Sequence, residues 1–566
     1  MSELNVVVIG GVSCGPKSAA RLKRLMPEAN VTLIEKGDYI SYGGCGLPYF
    51  IGSTVKELND LMTTSWDAVR TPEFMKATKD FDTLLGWEAV KIDRGKKVVV
   101  IKELATGASK ELPYDKLVLG TGASNFKPPI KNIDAEGVFG LRTPNDGVAI
   151  QNYLKQGAGA AVVIGAGLIG METAEAFMNW GLDVTVVEML DQVFPKVLDK
   201  DMAAILQDYL ESEDMQFMLN TAVKEIRIDQ DGKVNGVVTD KGEIDCEIVL
   251  VATGVRSNIK LAQDAGLDCD RTILVNDYLQ TSDPDIYAGG DNVMVTNRMS
   301  GEKMFAPMGS TANKHGRIIA DNIATGNTKK FPGVLGTSVC KLFDWSLGKT
   351  GLTEADARKL GFDVATCVVP APDITHFMPG KKVITMKGIA DKKTGRILGV
   401  QAVGRGDTAK RIDTMAGALS VNPEMTVYEM AQMDLAYAPP FSSAVDNLLV
   451  VANVLQNEIE GRSHSYDFFT AVKKMEKPEG IVFVDLRTPD EIKQLPFSAV
   501  GYINIPVEEL RSRMNELPKD KEIIVYCIHS TRGYEAQLIL EHGGFTNVHY
   551  IQGGMHFWPF GKYLNK

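Results

Sequence analysis

Residues 5–36, NVVVIGGVSCGPKSAARLKRLMPEANVTLIEK, and residues 159–190, GAAVVIGAGLIGMETAEAFMNWGLDVTVVEML, repeat one plan. Each reads as an apolar strand, a glycine turn, a helix and a second apolar strand that closes on an acid, Glu35 in the first and Glu188 in the second. Such a βαβ unit demands a parallel sheet. Its turn aims backbone N–H groups and a helix N-terminus at a pyrophosphate, while the terminal acid accepts hydrogen bonds from a ribose diol.

The second unit carries Gly165, Gly167 and Gly170 in full G-x-G-x-x-G register. The first has Gly10 and Gly15 at the outer positions and Val12 in the middle one. Glu188 favours a free 2'-hydroxyl and repels a 2'-phosphate, so NADH is expected over NADPH. Two dinucleotide folds in one chain suggest two different dinucleotides held face to face for hydride relay, one of them FAD. Two further turns support a flavin: LVLGTGAS, with Thr121 and Gly122, and IYAGGDNV, where Asp291 follows two glycines and can bond a ribityl chain.

These turns, with VATGVRSN (251–258, including Gly254), resemble those of the FAD-dependent pyridine nucleotide-disulfide oxidoreductases over residues 1 to about 450. The resemblance implies an α/β protein with two Rossmann-like domains, the NAD-binding one inserted between two halves of the FAD-binding one. The expected division is 1–148 and 278–330 for FAD, 149–277 for NAD, and 331–450 for an α+β dimerisation domain. A linker is expected at 451–470, and a further α/β domain at 471–566.

The chain's 566 residues exceed what one hydrophobic core supports, which agrees with several domains. Its net charge of -11 comes without a dense basic block interleaved with aromatics, which speaks against nucleic acid. No apolar run approaches the roughly 18 residues of a membrane span. The first strand follows the N-terminus directly, with no basic leader before it. Seven cysteines, scattered and without metal-ligand spacing, fit a reducing compartment, the cytoplasm, and no metal centre.

Cys45 stands alone in SYGGCGLPYF, with Ile40 and Phe50 where a disulfide-forming partner would sit five positions away. A single thiolate can accept two electrons only when sulfur or oxygen is already bonded to it. Cys45 is therefore expected to cycle through a mixed disulfide, persulfide or sulfenic acid. Gly43, Gly44 and Gly46 permit close approach of a flavin ring and a bulky partner. Cys14, inside the first turn, reads as a small packing residue.

SYGGCGLPY resembles the SFxNCGLPY motif of coenzyme A-disulfide reductases, related NADH oxidases and NADH-dependent persulfide reductases. Gly44 replaces the asparagine, which removes an amide that could tune the sulfur. The resemblance places coenzyme A phosphates near Arg21, Arg24 and Arg70. It also gives Tyr437, in YAPPFSSAVDNL, the role of reaching the partner subunit's redox cysteine in a homodimer. A further tyrosine of that pattern is missing, since HFMPG has Phe377 and Met378 there.

Beyond residue 450 a new α/β pattern begins. IIVYCIHSTRGYEAQLIL gives a strand, a loop from Cys527 to Arg532, and a helix. Loop N–H groups, the helix start and Arg532 are expected to lower the Cys527 pKa. His529 reads as a solvated loop residue. Cys-x-x-x-x-Arg-Gly, VDLR (with Asp485 and Arg487) and IQGGMHFW resemble rhodanese-like sulfurtransferases, and the six-residue span suits persulfide sulfur rather than phosphate.

The expected activity is NADH-dependent reduction, through FAD and Cys45, of a coenzyme A persulfide, polysulfide or coenzyme A disulfide, with Cys527 handling sulfane sulfur. The first alternative is an NADH oxidase working through a Cys45 sulfenic acid. The second is a sulfur carrier or sensor that relays persulfide from Cys527 to a protein partner.

Overall fold

The computed structural model describes residues 4–497 and 501–560; the last six residues of the expected rhodanese-like segment, and its residues 498–500, lie outside that range. The chain forms two compact units. One holds the residues up to Met189 together with Asn220–Val334; the other holds Leu190–Leu219 together with the chain from Leu335 onward.

The first unit contains both glycine-turn modules. A parallel sheet runs in the order Ile286–Ala288, Lys116–Leu119, Asn5–Ile9, Asn30–Glu35, Asp82–Leu85. Both faces of its central part are covered, so strands Asn5–Ile9 and Lys116–Leu119 are near-continuous apolar runs rather than alternating ones. Val6, Val8, Leu33 and Val118 pack into one core, and Val7, Ile9, Ile34, Leu117 and Leu119 into a second on the opposite face. In the second parallel sheet Asp183–Val187, Ala160–Ile164, Ile248–Val251 and Val138–Phe139 lie side by side.

Helices Cys14–Leu25 and Gly309–Thr325 pack closely because Gly316 has no side chain; a Cβ there would lie 2.4 Å from the Cys14 carbonyl oxygen. Cys14 is buried in that core, and burial pushes its thiol up to about 12, so it packs and does not react.

In the second unit an antiparallel sheet runs Ser338–Leu342, Trp345–Gly351, Ile397–Gly404, Val383–Asp391, Val364–Pro372, with helices Thr408–Val421 and Asn447–Ile459 against it. Helix Lys200–Ser212 belongs here, although in sequence it follows the second glycine-turn module. Its buried face holds Met202, Ile205, Leu206 and Leu210. Lys387, 2% exposed, reaches Asp201 at 2.8 Å, Glu354 at 2.7 Å and Asp199 at 3.5 Å. Gln401 completes the set, donating to Asp199 Oδ2 at 2.6 Å and accepting from the Asp199 N–H at 2.9 Å. A buried charge is tolerated only when it is paired and hydrogen-bonded on several sides, and this one is.

Residues 451–459 of the expected linker are instead helical, with Val451, Ala452 and Leu455 buried. Ser465–Tyr466 then forms the edge of a last parallel sheet, ordered Ser465–Tyr466, Val548–Ile551, Glu522–Tyr526, Ile481–Asp485, Ile503–Asn504. The apolar residues at helical spacing explain why that stretch is not loose. At the end of Ile481–Asp485, Asp485 and Arg487 form a fully buried ion pair at 2.7 Å. Arg487 also donates to the Leu495 and Phe497 carbonyls, which fixes the chain that follows.

Candidate functional site

The two glycine turns are near copies. Gly10 and Gly165 both have φ of +110°, a conformation open to glycine. A Cβ on Gly15 would lie 1.9 Å from the Gly10 carbonyl oxygen, and one on Gly170 would lie 2.1 Å from that of Gly165. The acids match as well. Glu35 accepts from the Gly11 N–H at 2.6 Å and the Gly37 N–H at 2.8 Å, and Glu188 accepts from the Ala166 N–H at 2.9 Å. The turns differ at their middle position. Val12 is half-buried, whereas a Cβ on Gly167 would meet nothing within 4 Å. Gly254 is also open on that side and has φ of +106°.

Thr121 donates from Oγ1 to the Asn258 carbonyl at 2.7 Å, and Gly122, with φ of +65°, accepts from the Asn258 N–H at 2.9 Å. Asp291 is largely buried and pairs with Arg142 at 2.6 Å. Sequence reasoning missed Arg142, since nothing local in GLRTPND marks it; the partner is 149 residues away.

Cys45 lies in a short helical turn, Gly44–Gly46, that runs into helix Leu47–Ile51. That helix is fastened to the second module. Trp180 Nε1 donates to the Ile51 carbonyl at 2.6 Å, Tyr49 donates to Glu172 at 3.3 Å, and a Cβ on Gly52 would lie 3.1 Å from Ala176 Cα. The loop thus rides on helix Leu168–Asn179, which the second glycine turn opens. Cys45 is exposed, while Cys14, Cys246, Cys340, Cys367 and Cys527 are buried. Surrounding protein raises the Cys45 thiol, the Glu172 and Asp291 carboxylates push it the same way, and Arg142 opposes them. A Cβ on Gly44 would touch only Tyr42, at 3.7 Å, so a side chain fits there.

The three arginines separate. Arg70 donates to the Ser41 carbonyl at 2.9 Å and so is built into the Cys45 loop. Arg21 is held by Asp321 at 2.6 Å, across the helix pair. Arg24 is exposed in the last turn of its helix. Tyr437 is 52% exposed, and Phe377, Phe441 and Val445 of the same unit are exposed large apolar residues too.

Cys527 directly follows strand Glu522–Tyr526, and helix Thr531–His542 begins inside the expected Cys527–Arg532 loop, so Arg532 lies in its first turn. The expectation of a lowered pKa is corrected here. The N–H groups of Gly533, His529 and Arg532 and the Arg532 charge all lower it, but the residue is 1% exposed and desolvation wins, so the thiol is raised. His529 is likewise half-buried rather than solvated, its ring 5.1 Å from that of His556; burial takes it down to about 4 and keeps it neutral.

A family model for pyridine nucleotide-disulphide oxidoreductases matches residues 4–311, more than half of the chain. The chain belongs to that family. The dimerisation domain of these oxidoreductases matches residues 337–449, and a rhodanese-like domain matches 469–559. Oxidoreductases of this family use FAD and NAD(P)H. Among curated relatives, this oxidoreductase is 38% identical over 456 residues to the NAD(P)H coenzyme A polysulfide/persulfide reductase of Pyrococcus horikoshii, covering 80% of this chain and 98% of that one. The solved NAD-dependent persulfide reductase from A. fulgidus is 41% identical, with a TM-score of 0.93 over 98% of this chain and 100% of that one. Reduced CoADR-RHD of Bacillus anthracis is 33% identical, with a TM-score of 0.91 over 100% of this chain and 99% of that one. The two structures match nearly the whole length of this chain, whereas the first of these alignments covers four fifths of it.

Proposed function

We propose that this oxidoreductase is an NADH-dependent reductase of coenzyme A persulfide and related polysulfides or coenzyme A disulfide, acting through Cys45 as a cytoplasmic homodimer. The observation that carries the reading is an exposed lone cysteine on a loop anchored by Trp180 and Glu172 to the nicotinamide module, with Asp291 and Arg142 near enough to bias its thiol. The residues fit the two dinucleotides, because Gly15 and Gly170 let each helix start close against its own turn, where a Cβ would lie 1.9 or 2.1 Å from the Gly10 or Gly165 carbonyl oxygen, and the space beside Gly167 is open.

Gly10, Val12, Gly15, Glu35, Thr121, Gly122 and Asp291 would hold FAD, and Gly165, Gly167, Gly170, Glu188 and Gly254 would hold NADH. The chemistry that bound FAD supplies is passage of two electrons from NADH to sulfur on Cys45. Cys45, as thiolate, attacks the outer sulfur of the persulfide. A sulfur–sulfur bond forms to Cys45, the one to coenzyme A breaks, and coenzyme A leaves with the electron pair. Reduction of the Cys45 persulfide by two electrons, with proton uptake, then frees sulfide and restores the thiolate. Tyr437, exposed at the surface of the dimerisation domain, supplies a hydroxyl donor to the leaving sulfur of the partner subunit. Arg70, Arg21 and Arg24 offer charge to the coenzyme A phosphates, Arg70 from the loop itself. Cys527 and Arg532 form the second sulfur centre, which accepts or delivers sulfane sulfur.

The test is NADH consumption without oxygen, with coenzyme A persulfide, polysulfide and coenzyme A disulfide offered in turn. At least one should drive turnover; reaction only after air is admitted would support the oxidase instead. Glu188 makes NADH the better donor, by about ten-fold or more in kcat/KM over NADPH. Equal values for the two nicotinamides would remove that role.

A further inference from the structure

The cation of the Cys527 loop is not free. Arg532 Nη1 and Nη2 bond the two carboxylate oxygens of Glu491, each at 2.8 Å, in a planar two-pronged pair. The guanidinium holds the Glu491 carboxyl down at about 2, so the pair stays ionised throughout the working pH range. Glu508 adds a second carboxylate whose charge acts on Arg532. His529 and His556, ring to ring beside the loop, are both kept neutral by burial. Among the described residues, what remains for an incoming sulfur donor is a set of backbone N–H groups around a buried sulfur, with little net positive charge.

We infer that Glu491 is a specificity-determining residue, which turns the Cys527 centre toward persulfides of thiols and away from doubly charged donors such as thiosulfate. The inference rests on the reading of Cys527 as a sulfur-transfer centre. Both donors react alike in outline: the Cys527 thiolate attacks the sulfane sulfur, a new sulfur–sulfur bond forms, the donor's bond breaks, and a thiolate or sulfite leaves with the electron pair. The difference is charge. A dianion must be brought beside a thiolate in a site with reduced dielectric, where each uncompensated negative charge costs more than in water. The reacting end of a thiol persulfide carries at most one negative charge. An Arg532 released from its partner would serve the dianion; Arg532 locked onto Glu491 does not.

Glu491 has a second task that a chosen substitution preserves. It is the third residue of helix Pro489–Gln494 and forms a reciprocal cap with Thr488, accepting its N–H at 2.8 Å. Glutamine also suits that position, so Glu491→Gln removes the charge and keeps the cap.

The experiment uses the full-length holoenzyme with cyanide as sulfur acceptor, which takes the outer sulfur from Cys527 as thiocyanate. Glutathione persulfide and thiosulfate are compared as donors. Wild type should favour glutathione persulfide, and Glu491→Gln should raise kcat/KM for thiosulfate about ten-fold or more, chiefly through KM, while glutathione persulfide changes less than about three-fold. Glu491→Asp, which keeps the charge, should return the donor ratio toward wild type. A donor ratio unmoved by Glu491→Gln overturns the inference, as does equal loss with both donors, which marks a structural role. No thiocyanate from either donor, or transfer that survives Cys527→Ser, would instead remove the sulfur-transfer role of Cys527, and this inference with it.

Discussion

Cys45→Ser should lower anaerobic NADH turnover with coenzyme A persulfide by ~10³-fold or more, the scale of loss when a covalent nucleophile is removed. Serine fills the same space without a polarisable thiolate, and the surrounding backbone does not depend on the sulfur. The loop stays fixed by the Gly43 N–H to the Leu61 carbonyl at 2.8 Å and by Arg70 on Ser41. The variant should therefore purify yellow, and NADH should still bleach it. Stopped-flow absorbance separates the two half-reactions: bleaching persists, while recovery of colour on mixing with the persulfide is lost. Retention of more than about a tenth of wild-type turnover would show that sulfur is reduced elsewhere, since that is far above the residue left when a nucleophile is absent.

Gly15→Val should purify nearly colourless, with flavin content below about a tenth of wild type, because overpacking against unyielding backbone costs ~1–3 kcal/mol or more. The valine Cβ would lie 1.9 Å from the Gly10 carbonyl oxygen and 3.1 Å from Val8 Cγ1. The first neighbour is backbone, so relief requires the turn itself to open. Cyanide-coupled sulfur transfer through Cys527 provides the control for folding of the rest of the chain, because that centre lies in the other compact unit. A fully yellow Gly15→Val protein would mean that the first glycine turn is not where the flavin pyrophosphate rests.

The glycine turns and their acids were legible because their cause is local. A left-handed residue, a helix start and a strand-end carboxylate all fall within one 32-residue stretch of sequence, printed twice. The exposed setting of Cys45 was legible for the same reason, through its glycine neighbours. What escaped depends on pairs far apart along the chain. Arg142 meets Asp291 across 149 positions, and Glu491 meets Arg532 across 41. The Cys527 expectation shows the physics most plainly. The loop N–H groups and the Arg532 charge named from sequence are present and act in the expected direction, yet depth of burial, a property of the whole sheet around it, decides the sign. Helix Lys200–Ser212 escaped for a related reason. Its apolar stripe was readable, but nothing in the stripe says which sheet it covers.

That helix carries a consequence for biosynthesis. Asp201 leaves the ribosome 186 residues before the lysine that neutralises it, so at ~5–20 residues per second the nascent chain waits roughly ten to forty seconds with a greasy, acidic helix unclaimed. Chaperone binding and protease nicking should concentrate there during translation. A gene fragment ending at the last residue of the first unit would leave the same helix permanently orphaned.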